Sequence, residues 1–172
     1  MAAVRAFSCE LNWHGRRGFF IWLSNDHDGV VLNAERSVRL FDSLDSLSRF
    51  AAAEGLTLIE DTPSFWDFDN VLAWCCDPRP PVDCSHLLNT WNMLADIHAS
   101  RGKANDLLSY ADQQGRSVYE KLFWGCNLPS VTPEGQRFDP IWSAEECKSL
   151  ARLLRLGLAE LEAAMPASPK AG

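Results

Sequence analysis

Ser37-Val-Arg-Leu-Phe-Asp-Ser-Leu-Asp-Ser-Leu-Ser-Arg-Phe-Ala-Ala-Ala-Glu-Gly-Leu-Thr-Leu-Ile59 reads as strand, helix, strand. Val38 and Leu40 alternate with Ser37 and Arg39, as they would on a half-buried strand. Asp42 or Ser43 can then cap a helix, since either side chain accepts a hydrogen bond from an orphan N–H of the first turn. Leu44, Leu47, Phe50 and Ala51 recur at helical spacing, and Gly55 stands where a helix-terminating glycine belongs. Leu56 to Ile59 forms the second strand. This order favours a layered α/β or α+β fold.

Upstream, Gly18 to Leu23 (GFFIWL) is a short aromatic and β-branched run that suits a strand. Ser24 to Gly29 is dense in turn formers, and Val30 to Leu32 follows as another short strand. These predict an N-terminal hairpin or meander. Downstream the pattern becomes helical. Phe68, Val71, Leu72 and Cys75 share one helix face, and the DPRPP stretch from Asp77 to Pro81 breaks that helix. Asp83 or Ser85 restarts it. Leu87, Leu88, Trp91, Leu94, Ala95 and His98 then form an apolar stripe. Arg101 to Arg116 is polar, with a short helix expected around Leu107 to Tyr110. Val118, Tyr119, Leu122 and Phe123 predict a helix ending at Gly125, and Asn127 to Pro140 an irregular loop. Ser143-Ala-Glu-Glu146 is a capping box, with Trp142 placed to staple against Cys147. Cys147, Leu150, Leu154, Leu158 and Leu161 run down one side of the helix it opens. The expected fold is α+β: a small N-terminal antiparallel sheet packed against helices at 43–54, 84–100 and 143–165. Residues 1–165 form one domain and 166–172 a disordered tail.

A chain of 172 residues, 47% hydrophobic and 23% charged, is large enough for one well-buried core. Its charge is uneven. Residues 41–100 hold ten acidic and two basic side chains, a net of −8, whereas the whole chain carries −7. Three of the seven tryptophans lie in that third. Like charges repel in a compact state, so clustering of this kind does little for folding, but it steers a basic partner. It argues against nucleic-acid binding, which leaves a basic footprint. Met1 to Glu10 has no apolar leader, and no apolar run approaches the roughly 18 residues of a membrane span. The expected location is the cytoplasm, with six reduced cysteines acting mostly as small buried hydrophobes.

Catalytic signatures are weak. Cys75, Cys76, Cys84 and His86 fall within twelve residues, yet their spacing matches no standard zinc motif. No GxSxG elbow, P-loop or GxGxxG occurs. His14, His27, His86 and His98 are scattered. The carboxylate pairs Glu60/Asp61 and Asp67/Asp69 lack EF-hand spacing. The expectation is a protein that is not an enzyme and carries neither cofactor nor metal.

On a helix from Asp67, the face opposite the apolar residues shows Asp69, Asn70, Ala73 and Asp77. Asp67 and Trp74 lie at the boundary. Trp66 sits at the helix start, with Glu60 and Asp61 just upstream. Clustered carboxylates with flanking aromatics match the composition of interface hot spots. The candidate partner-binding residues are therefore Glu60, Asp61, Trp66, Asp67, Asp69, Trp74 and Asp77. The competing structural reading is that Asp67 and Asp69 simply suit a helix N-terminus. Pro129 to Gly135 reads first as a rigid connector between helices.

Three blocks carry a resemblance: Ser64 to Trp74 (SFWDFDNVLAW), Leu87 to Asp96 (LLNTWNMLAD) and Tyr119 to Gly135 (YEKLFWGCNLPSVTPEG). They resemble small bacterial immunity proteins of contact-dependent growth inhibition and related polymorphic-toxin systems, over roughly residues 40–160. The resemblance implies a protein that binds a cognate toxin domain, often a basic nuclease, and masks its active site. It transfers no site residues, because contact surfaces in such families vary with the toxin. The alternatives are an adaptor or scaffold for another basic protein, or a small hydrolase using Asp/Glu or a Cys–His pair, with Cys84 or Asp69 as its test residues.

Overall fold

The computed structural model describes residues 4–24, 27–59, 62–102 and 113–166. The helix expected at Leu107 to Tyr110, the tail after Pro166, and Glu60 and Asp61 lie outside them. Strands β1 (Arg5–Trp13) and β2 (Arg16–Ser24) form a hairpin with Arg5 opposite Ser24 and Trp13 opposite Arg16. Its two-residue turn, His14-Gly15, has φ of 51° and 70°. Positive φ at both positions matches the right-handed twist of the flanking strands, and only the second position has the residue best suited to it. β3 (Gly29–Val30) pairs with β2. Helix α1 (Leu44–Ala53) follows, capped by Ser43 in a reciprocal box with Ser46. β4 (Ser64–Asp67) then pairs with β1 in parallel, giving the sheet order β3-β2-β1-β4. The antiparallel N-terminal sheet thus gains a parallel edge strand from a segment whose residues read as a helix entry.

Neither β1 nor β4 stands out in the sequence. β1 is covered on both faces, so it shows no clean alternation. Cys9, Leu11 and Trp13 face one core, while Ala6 faces a second core with Ile21 and with Leu47 and Ala51 of α1. The predicted strands Ser37–Phe41 and Leu56–Ile59 shrink to single bridges, Leu32 with Val38, Phe19 with Phe41 and Ala6 with Leu58. Their backbone groups are partly used elsewhere: Val38 N donates to the Ala164 carbonyl at 2.7 Å, and Ser37 N to Asn33 Oδ1 at 2.9 Å.

The larger core lies between the sheet and the remaining helices: α2 (Phe68–Cys76), α3 (Cys84–Ser100), α4 (Gln113–Gly125) and α5 (Ala144–Ala164). α5 packs against α2, α3 and α4. Its Ser143–Glu146 capping box forms as the sequence predicts, and Trp142 and Cys147 are both buried in the same core. Three layers result, with α1 on one side of the sheet and the helical bundle on the other, an α+β fold in one domain. None of the described helices is long and apolar enough to cross a membrane.

Two polar ties lock the sheet to the bundle. Trp13 Nε1 donates to Glu162 Oε2 at 2.6 Å, near the end of α5. Val30 N donates at 2.8 Å to Ser100 Oγ, whose hydroxyl donates in turn to the Asp96 carbonyl at 2.7 Å. Gly29 comes so near that a Cβ there would lie 2.6 Å from Ser100 Oγ. Gly29→Ala should therefore lower stability by about 1–3 kcal/mol, as overpacking does. Adding Ser100→Ala should recover part of that loss, because it removes the clashing atom. Urea unfolding of both variants measures this, and an unchanged midpoint in Gly29→Ala would contradict the close approach.

Candidate functional site

The sequence-predicted site residues separate into different tasks. Asp67 caps α2, accepting from Asn70 N at 3.2 Å, and also accepts from Asn12 Nδ2 on β1 at 3.0 Å. Asp69 turns its carboxylate to the hairpin: His14 N donates to Oδ1 at 2.7 Å and Gly15 N to Oδ2 at 2.9 Å. Charge-assisted bonds of this kind stabilise the strained turn. At the other end of α2, Asp77 pairs with Arg79 at 3.1 Å on the surface. Trp74 is half-buried against the main core, and its indole donates to the Arg79 carbonyl at 3.2 Å. Trp66 belongs to neither group. It sits on β4, half-buried on the sheet face that meets α3, and no described residue accepts a hydrogen bond from its indole N–H.

What Trp66 does line is a cleft of ≈ 450 Å³ between the sheet and α3. Trp22 of β2 is another aromatic lining residue; strand β1 lies between β2 and β4, so the two indoles flank it on the same face. From α3 come Asn89, Asn92, Met93 and Asp96, spaced i, i+3, i+4 and i+7 on one helix face. Asp28, beside the β3–α3 tie, completes the lining. Trp22 Nε1 donates to Asp96 Oδ2 at 2.9 Å. Burial pushes the Asp96 carboxyl up to about 6; the Trp22 bond opposes the shift and the negative charge of Asp28 adds to it. Trp22, Asp28 and Asp96 come from distant parts of the sequence and meet only in the folded chain. Asp96 lies with Asn89 and Asn92 on the polar side of α3, away from its apolar stripe, and its partner Trp22 is 74 residues away, so no local pattern marks it.

A second surface lies on the connection between α4 and α5. Asn127 brackets Phe138, donating from Nδ2 to its carbonyl at 2.9 Å and accepting its N–H at 2.7 Å. Lys121 donates to the Ile141 carbonyl and pairs with Glu146 at 2.7 Å. The Lys121 bond and the Ser143 N–H hold the Glu146 carboxyl below its usual range. These polar ties fix the backbone while Trp124, Leu128, Val131, Phe138 and Ile141 remain exposed, Ile141 at 89%. A cleft of ≈ 660 Å³ separates Pro140 and Ile141 from Pro81 and Val82. Within Pro129 to Gly135, the stretch read as a connector, Val131 is exposed, and the other exposed apolar residues flank it.

The thiols of Cys75, Cys84, Cys126 and Cys147 are all raised in pKa by burial, whereas Cys76 is exposed. All six are free thiols. Burial pushes Cys75 up to about 12 and also raises Cys84, which disfavours the nucleophilic thiolate. Among the described residues, no group of three or more His, Cys, Asp or Glu could hold a metal ion.

No family model and no curated protein matches the chain. Among solved structures, it is similar to the crystal structure of the SatS C-terminal domain in complex with bromine. The two share 13% identity over 94% of this chain and 92% of that one, with a TM-score of 0.55. The likeness is one of fold.

Two outcomes test these assignments. Asp69→Ala removes both acceptors of the hairpin turn and should cost about 1–3 kcal/mol in urea unfolding; a residue serving only partner contact would leave stability unchanged. Asp96, with its carboxyl raised, binds its proton more tightly folded than unfolded. Ionising it therefore costs stability, from just above the ordinary value of 3.8 and in full above about 6. Asp96→Asn keeps an acceptor for Trp22, so it should melt above the parent at pH 7.5, with the advantage fading towards pH 3.5. Parallel melting curves across that range would contradict the raised carboxyl.

Proposed function

We propose that this protein is a non-enzymatic immunity protein that binds and neutralises a cognate basic toxin domain, a nuclease, in the bacterial cytoplasm. The observation that carries the reading is the α4–α5 connection, where polar ties hold a loop in one shape and leave four large apolar side chains in water beside Trp124 at the end of α4. Exposed apolar groups on a fixed backbone are what a hot spot requires, because little ordering entropy is lost when a partner covers them. The net charge of −7 supplies the long-range attraction to a basic surface. The resemblance of the Tyr119–Gly135 block to immunity proteins falls on the same connection. In this reading the apolar loop anchors the toxin, and the negative field speeds encounter and competes with substrate phosphates.

Co-expression with the toxin domain encoded beside it, scored by rescue of growth, tests the reading. Rescue is expected for the parent. Ile141→Asp combined with Trp124→Ala should weaken binding at least about 30-fold, as truncated hot spots do, with an unchanged melting temperature. The association rate should fall steeply between 50 mM and 500 mM salt. A toxin that stays lethal in the presence of the folded protein overturns the proposal.

A further inference from the structure

The sheet–α3 cleft has a composition that the loop surface lacks. Its lining joins the indoles of Trp22 and Trp66, the thioether of Met93 and two carboxylates, Asp96 and Asp28, with no basic side chain among the described lining residues. Trp22 holds Asp96 by one oxygen, which fixes the direction of the carboxylate. A half-buried negative charge facing aromatic walls is stabilised by a cation, which gains from the carboxylate and from the indole faces at once. A hard metal ion is a poor match, since indoles and a thioether offer it no ligands and two carboxylates leave its shell incomplete. An anion would meet two like charges. The same sheet face already holds a guanidinium on an aromatic ring: Arg5 lies 5.2 Å above Phe7, whose ring is 5.2 Å from Trp22. The volume of ≈ 450 Å³ admits a long side chain with its stem over Met93.

We infer that this cleft is a receptor for an organic cation, the ammonium or guanidinium of a lysine or arginine side chain presented by the basic partner. The inference rests on the proposed function for the source of that side chain, and on the cleft alone for its chemistry. Asn89 and Asn92, exposed on the α3 face, supply amide groups to the backbone around the inserted residue.

Small probes test it without the toxin. N-acetyl-arginine amide, N-acetyl-lysine amide, neutral N-acetyl-norleucine amide and n-butylamine are titrated while the indole N–H resonances of Trp22 and Trp66 are followed by NMR. The two charged amides should shift both indoles with dissociation constants of about 1–10 mM, and norleucine amide should bind at least about tenfold more weakly. Asp96→Asn and, separately, the rim variant Asp28→Asn should each weaken the charged probes about threefold or more, with the dispersed amide spectrum of the folded protein retained. Equal binding of norleucine amide would make the cleft an apolar slot and overturn the inference. So would indoles that stay silent, or charged probes unaffected by both variants. Butylamine binding more than about tenfold tighter than the capped lysine would assign the cleft to a free amine and overturn the partner side chain. Because these readouts need no toxin, a failure of growth rescue leaves them standing, and a silent cleft leaves the immunity reading standing.

Discussion

Asp67 and Asp69 join the two halves of this fold. Asp67 caps α2 and accepts from Asn12, which is directly opposite it across the β1–β4 pairing. Asp69, in the first turn of the same helix, holds the two backbone N–H groups of the β1–β2 turn. One short acidic segment thereby sets the register of the parallel strand, starts a helix and closes a hairpin more than fifty residues earlier in the chain. The His14 backbone sits at positive φ, which a side chain other than glycine resists. It stays there because a charged acceptor faces it.

That arrangement explains why the acidic third of the sequence was only partly legible. Local consequences of a carboxylate or hydroxyl could be read directly. Ser43 and Ser143 cap the helices they were expected to cap, Asp83 restarts the chain after the proline run, and Gly55 follows α1 with φ of 69°. Each of those depends on atoms within a few residues. Non-local roles could not be read. Asp69 looks like an exposed charge on a helix until the hairpin is placed against it. Asp96 looks like a surface residue until Trp22, 74 positions away, reaches it. β1 escaped for a related reason: with cores on both faces it has no single wet side to produce alternation. The five described candidate site residues, Trp66, Asp67, Asp69, Trp74 and Asp77, do not assemble into one patch, and the described acidic groups are largely occupied in capping, turn closure and pairing.

In the proposed reading, the negative residues that remain unneutralised act at a distance through the net field, while close contact falls to the α4–α5 connection and to the cleft on the sheet face opposite the small core. Both surfaces are rigid for the same reason, namely that side-chain hydrogen bonds to backbone carbonyls and amides hold their frames: Asn127 and Lys121 in one, Ser100 in the other. Recognition built this way loses little conformational freedom on binding.

The bond from Trp13 to Glu162 spans 149 residues, and Val38 is bonded to Ala164, also far along the chain. Contacts so distant along the chain close late, since the loop between them must first be ordered. A polypeptide still emerging from the ribosome would hold its β1–β2 hairpin with one apolar face uncovered until α5 arrives. The hairpin face should therefore become protected only once α5 has been made and packed, and fragments lacking α5 should be removed by proteolysis rather than persist.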